Sequence, residues 1–289
     1  SGSPVAAVSL SLFDAGATTR LQTLTMLSGS RLGASFIVLL VGFLYAMRSK
    51  DRRRSVGMGV LALTMTAIVY IPGMFAAYGL LRSGLLSGVG WQASEEVNGV
   101  IDAIWGPIVA LADRVLPGPM LLPVGLAIIL ISFKLLDVVL PSLDGERHAG
   151  AREHWLKRPW PMFFLGSLAA LLTLSVSVAL TILVPLASKG YVTRREAIPY
   201  IAGANITTLA DTLVAAMILG NPVAVQVVLA EAIAVAVITV LILLTVYGPL
   251  QRTLIAFDDW IVATTPRLVA FVAALFVLPV GLLFSGTFV

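Results

Sequence analysis

Apolar residues in this chain gather into blocks at 31–47, 56–81, 119–143, 160–188, 205–219, 222–249 and 267–287. Most approach or exceed the roughly 20 residues a helix needs to cross a hydrocarbon core. The pattern predicts an all-α polytopic membrane protein. Two stretches, 97–116 and 250–262, instead mix apolar residues with Asp102, Asp113, Asp258, Asp259, Trp105 and Trp260. Helices lying at headgroup level read this way, and for the first an ordinary structured loop fits equally well.

Composition strengthens this picture. Only 12% of the 289 residues are charged and 58% are hydrophobic, with a mean hydropathy of +0.99; a soluble domain carries about a quarter charged residues. The chain lacks cysteine, which excludes disulfides and thiolate chemistry. The formal charge of +4 comes from basic residues in short loops. Such residues signal topology rather than a nucleic-acid partner. The first twelve residues lack the basic region of a secretory signal peptide.

Sliding the chain along itself by 174 positions reveals a repeat. Ser1 falls on Ser175, Ser3 on Ser177, Gly16 on Gly190, Thr19 on Thr193, Arg20 on Arg194 and Gly29 on Gly203, without a gap. The loop after the first unit's Gly29 block, 48–54, carries five basic residues and one acid, whereas its counterpart 222–228 carries no charge. Opposite orientations of the two units account for that contrast. The expected organisation is a first repeat over 1–118 and an inverted second repeat over 119–289. Loops 48–54 and 144–158 would be cytoplasmic, which suits a multi-pass protein of a bacterial cytoplasmic (plasma) membrane.

Irregular backbone survives at membrane depth only where it lines protein or a cavity. The serines of Leu174-Ser-Val-Ser-Val178, inside the long run 162–187, predict the tip of a re-entrant hairpin. Gly203-Ala-Asn-Ile-Thr-Thr208 predicts an unwound helix break, because glycine and asparagine favour turns. Ser175, Ser177, Asn205, Thr207 and Thr208 then offer hydroxyl and amide oxygens to a small cation, with Asn205 and Thr208 as sodium ligands. Half-helix N-termini offer N–H groups to an anion. The bland alternative for each hydroxyl is a hydrogen bond between helices. In the first unit the register assigns Ser1, Ser3, Arg31 and Ser35 to the equivalent places.

These residues resemble the sodium/phosphate cotransporter family. That family has two inverted repeats, each with a Gln-Ser-Ser-Ser hairpin tip and a Gly-Ala-Asn-Ile-Gly-Thr-Thr break. Here the second unit runs from Pro161-Met-Phe-Phe-Leu-Gly166 through Leu174-Ser-Val-Ser177, Gly190 and Glu196-Ala-Ile-Pro199 to Gly203-Ala-Asn-Ile-Thr-Thr208. Gly125-Leu-Ala-Ile-Ile-Leu-Ile-Ser-Phe-Lys-Leu-Leu136 is similar to the helix that opens a repeat. The likeness covers roughly 120–245, and 1–82 through the register alone. It implies sodium-coupled movement of phosphate by alternating access. It also implies an opening helix ahead of Ser1. The departures are Leu174 and Val176 in the hairpin, a missing glycine before Thr207, and Arg31, Ala34 and Ser35 in place of the first unit's Asn and threonines.

Charges inside apolar blocks are functional candidates by default. Arg31 and Asp211 flank the two breaks, so inversion brings them together. Either Arg31 holds an anionic substrate with Asp211 gating it, or the two form a permanent ion pair plugging a former site. Glu231 is read as a hydrogen-bonded packing group, and Lys134 with Asp137 as a local pair. His148 and His154 are read as solvated. No nucleophile-elbow, P-loop or zinc-helix pattern occurs, so the chain is not read as an enzyme and needs no cofactor beyond a sodium ion. The expected partners are lipid, phosphate and sodium, with self-association or a larger membrane complex left open. The leading reading is a sodium-coupled phosphate symporter. The alternative is a transport-inactive relative serving as a structural or regulatory membrane subunit.

Overall fold

The computed structural model describes residues 2–48, 52–91, 107, 110, 111, 114, 120, 158–173, 175–188 and 190–286, without the side chains of 2–4, 47, 48, 52–54, 278, 280 and 282–286. The helices of the main body are α1 (Gly2–Asp14), α2 (Arg20–Arg48), α3 (Arg52–Arg82), α4 (Pro159–Thr173), α5 (Val176–Thr181), α6 (Leu183–Ser188), α7 (Arg194–Thr207), α8 (Leu209–Ile218), α9 (Pro222–Leu241), α10 (Tyr247–Val262) and α11 (Thr265–Gly286). A π-helical turn, Ile242–Val246, joins α9 to α10. Among the described residues there is no strand.

Local chemistry sets the helix ends, and it does so twice. Thr193 caps α7 through a capping box in which Glu196 reaches back to the Thr193 N–H at 2.8 Å. At the 174-residue offset, Gln22 Oε1 accepts from the Thr19 N–H at 2.8 Å ahead of α2. Each box satisfies N–H groups that a helix start leaves unpaired. Just upstream, Gly16 (φ 71°) and Gly190 (φ 78°) take the left-handed conformation glycine tolerates best. The flanking bonds also match: Ala17 N–H to Leu12 O at 2.8 Å, and Tyr191 N–H to Leu186 O at 2.8 Å. α1 corresponds to α5 and α6 together, and α2 starts in register with α7.

Packing then crosses between the two ends of the described chain. α1 packs on α8 and α9 as well as α2, while α5 and α6 pack on α2 and α3. Two tight helix pairs use glycine. On α2 and α3, a Cβ at Gly59 would collide with the Leu39 backbone, and one at Gly42 with the Ser55 carbonyl. On α4 and α7, a Cβ at Gly166 would overlap the Tyr200 carbonyl oxygen, and one at Gly203 that of Phe163. Backbones can approach this closely only without side chains between them.

Residues 1–91 and 152–289 form one compact unit and 92–151 another. In the latter, the described Pro107, Ala110, Leu111, Arg114 and Met120 are helical and exposed. The opening-helix stretch 125–136, the loop 144–157 with His148 and His154, and Lys134 and Asp137 lie outside the described residues. Four described stretches are long and apolar enough to span a bilayer: Arg20–Ala46, Ser55–Arg82, Arg194–Ile218 and Pro222–Val262. Exposed Leu40, Phe75, Phe164, Leu172 and Leu244 suit a lipid-facing surface. The protein is a multi-pass membrane protein.

Two expectations change. α2 is continuous across Gly29–Ser35, so the first unit has no break there. In the second unit the helix runs through Gly203 and Asn205, and its only interruption is Thr208, still right-handed (φ −65°, ψ −17°) and bonded to Ala204 O at 3.1 Å. Gly203 is there for the approach of α4 rather than for unwinding. The segment 250–262 lies on α10, which follows α9 through the π turn. It is still amphipathic: Leu254, Asp258 and Ile261 are buried, while Arg252, Asp259 and Trp260 are exposed.

α10 is tied to the start of α7 by charge. Arg194 Nη1 lies 2.8 Å from Asp258 Oδ2 and 2.5 Å from Asp259 Oδ1. Asp258 is fully buried, so removing its partner strands a desolvated acceptor. Arg194→Ala should destabilise the protein by about 2 kcal/mol, read as a lower melting temperature in detergent. Asp259→Ala, on an exposed carboxylate, should shift it far less.

Candidate functional site

Helical spacing places Ser28, Arg31 and Ser35 on one stripe of α2, and Thr208, Asp211 and Thr212 on one stripe at the α7–α8 junction. The two stripes meet. Arg31 is 1% exposed. Its Nη1 donates to Thr208 Oγ1 at 3.0 Å and its Nη2 donates to Thr212 Oγ1. Nη2 also lies 3.5 Å from Asp211 Oδ1, to which the Thr212 hydroxyl donates at 2.9 Å. The Arg31 Nε is buried without a hydrogen-bond partner among the described residues.

One turn before Arg31, Ser28 Oγ donates to Glu231 Oε1 on α9 at 2.6 Å. Glu231 is fully buried, and its Oε2 has no hydrogen-bond partner among the described residues. One turn beyond Arg31, Ser35 Oγ lies 2.7 Å from Thr66 Oγ1 on α3. Thr66 also accepts from Asn205 Nδ2 at 3.0 Å and donates to Ala62 O at 2.8 Å. Tyr70 OH donates to Asn205 O at 2.7 Å. A single helix stripe thus makes polar contacts in three places, on α9, at the α7–α8 junction and on α3.

The candidates fare differently. Arg31, Asp211, Thr208, Asn205 and Ser35 come together in this core. Thr207 instead donates to Gly203 O at 3.1 Å, a bond within its own helix. Ser175 caps α5, accepting from the Val178 N–H at 3.4 Å. Ser177 is 5% exposed and its Oγ has no hydrogen-bond partner. Ser1 lies outside the described residues, as do the side chain of Ser3 and Leu174. Thr208 Oγ1 already receives a guanidinium N–H, so in this arrangement that oxygen faces a fixed cation rather than sodium.

Sequence reasoning assigned no site role to Ser28, Thr212, Thr66, Tyr70 or Glu231. Ser28 and Thr212 were within reach of the helical period, lying three residues before Arg31 and four after Thr208. Thr66 and Tyr70 gave no such signal, since their partner Asn205 is 139 and 135 residues away. Only the packing of α3 against α7 joins them.

The arrangement is a largely buried polar cluster with one guanidinium and two carboxyl groups, contributed by α2, α8 and α9. Arginine's planar fork of donors suits a tetrahedral oxyanion. A family model described as Na+/Pi-cotransporter matches residues 128–284, more than half of the chain, including the α7–α8 junction and Glu231. No curated protein and no solved structure matches the chain. The match and the membrane-spanning helices place the chain in the Na+/Pi-cotransporter family, a family of membrane transporters that move phosphate with sodium.

Proposed function

We propose that this protein is a secondary phosphate symporter of a bacterial cytoplasmic membrane, coupled to sodium and working by alternating access between two inverted repeats. The matching caps of α2 and α7 and the exchange of α1 and α5–α6 between units support the inverted repeat over 1–118 and 119–289. The pair α4 and α5–α6 suits a re-entrant hairpin, with Ser175 and Ser177 near its tip. The observation that carries the reading is the guanidinium of Arg31: deeply buried, held by neutral hydroxyls and by Asp211 at 3.5 Å, and with Nε still free to donate. An incoming phosphate competes with Asp211 for those donors. Because Arg31 is closed off here, the anion reaches it only when α2 parts from the α7–α8 junction.

A second reading, a transport-inactive membrane subunit, is favoured by the same guanidinium sitting on Thr208, the oxygen a sodium ion would use. Uptake of labelled phosphate into proteoliposomes, with and without a sodium gradient, decides between them. Sodium-dependent uptake by the wild type, reduced at least tenfold in Arg31→Asn, is the expected result. Uptake only in Arg31→Asn would make Arg31 a plug. Uptake in neither protein would leave the subunit reading standing.

A further inference from the structure

We propose that Glu231 is a proton-binding site, and that a proton taken up on its carboxyl moves in the transport cycle in addition to sodium. This rests on the transport reading above but concerns a residue that reading does not use. Glu231 sits midway along α9, fully buried. The groups facing it or its neighbour Arg31 are few. α2 supplies Ser28, at 2.6 Å from Oε1, and Arg31. Tyr70 from α3 and Asp211 from α8 surround the same guanidinium. Asp14 at the end of α1 is engaged elsewhere, with Asn221 Nδ2 at 2.8 Å. On α7, Tyr200 donates to Ala179 O at 3.0 Å.

Charge decides what this cluster needs. Arg31 offers one positive charge, and Asp211 lies within ion-pair distance of it. A second carboxylate in the same dry core is left uncompensated, which is strongly unfavourable. Either a proton or a metal cation restores neutrality. A hard metal cation collects several oxygen ligands. Among the described residues the oxygen hydrogen-bonded to Glu231 is the Ser28 hydroxyl, and the positions one turn either side of it on α9, Val227, Val228, Ala234 and Val235, are apolar and buried. A lone carboxyl with one donor and a free Oε2 suits a proton.

The step is simple. A proton from water adds to Oε2, making a neutral carboxylic acid, and later returns to water on the opposite side. Its consequence lies in the competition between α8 and α9 for one guanidinium. With Glu231 protonated, Arg31 stays with Asp211, Thr208 and Thr212, as seen here. With Glu231 ionised, the attraction shifts towards α9, loosening α2 from the α7–α8 junction. Proton occupancy therefore biases the same parting of helices that would admit phosphate.

The test uses the full chain in lipid, with two readouts. Infrared difference spectra between acid and alkaline buffer should show a buried carboxylic acid band that disappears in Glu231→Gln, returns in Glu231→Asp and persists in Asp211→Asn. In proteoliposomes without a sodium gradient, an inward proton gradient should raise wild-type phosphate uptake several-fold and leave Glu231→Gln uptake unchanged. Glu231→Gln is nearly isosteric and keeps an oxygen for Ser28, so it should melt no lower than the wild type. An infrared band equal in wild type and Glu231→Gln, or an equal response of both to the proton gradient, overturns the proposal. If no variant moves phosphate, the transport reading fails, and the infrared result still decides whether Glu231 binds the proton.

Discussion

Arg31→Met should lower the stability of the protein by about 3–5 kcal/mol, because removing one partner of a buried ion pair leaves the other uncompensated. Here Asp211 would remain in the core without the guanidinium beside it, and Glu231 would lose the positive charge nearest to it. The same logic predicts a rescue. Adding Asp211→Asn and Glu231→Gln to Arg31→Met replaces each ionisable group of the cluster by a neutral one of similar size, and the triple variant should regain most of the loss. Residues this close are strongly non-additive. Thermal unfolding in detergent of the single, double and triple variants gives the coupling. If Arg31→Met alone melts with the wild type, the guanidinium has no structural hold on its neighbours. That outcome would remove the physical basis for treating the cluster as one unit.

Gly203→Ala is expected to cost about 3 kcal/mol or to prevent folding, at the upper end of what overpacking does. Its Cβ would meet the Phe163 carbonyl and Ser167 Oγ, and the carbonyl is backbone that cannot swing aside. Its register mate Gly29 meets nothing within 4 Å. Gly29→Ala should therefore be neutral or slightly stabilising, since alanine favours a helix interior by up to about 1 kcal/mol over glycine. Expression level and melting temperature of the two variants make the comparison. Equal sensitivity at both positions would contradict the tight pairing of α4 with α7.

That glycine pair shows how much was legible along the chain. Gly29 and Gly203 occupy matching places in sequence, and the match led to the register in which α1, α2 and α7 begin or end. Composition predicted an unwound break at Gly203 and the register carried it to Gly29, but the helix runs on through both glycines. Glycine near asparagine and threonine is ambiguous by itself, because it serves a turn or a close helix contact equally well. Which role applies depends on whether another helix lies against it. α4 lies against Gly203, and nothing lies within contact of Gly29.

The polar core divides in the same way. Arg31 and Asp211 stood out as charges within apolar blocks, and the inverted register implied their meeting. Thr208 and Thr212 stand one helical turn apart, so a contact from one facing residue to both follows from periodicity. Glu231, read along the chain as a packing group, is joined to the core through Ser28, 203 residues away.

From the sequence alone came the spanning helices, the matching turns at Gly16 and Gly190 and the presence of a charge, Arg31, within an apolar block. All of these follow from local or periodic properties, namely hydropathy over a helix length, turn chemistry at a helix end, and the cost of a charge in hydrocarbon. Only the tertiary structure decided that α2 runs unbroken, that Gly203 is a contact rather than a hinge, and that one guanidinium is set between two carboxylates. Those outcomes depend on which helices lie side by side, and the long-range packing that sets this leaves no period in the chain.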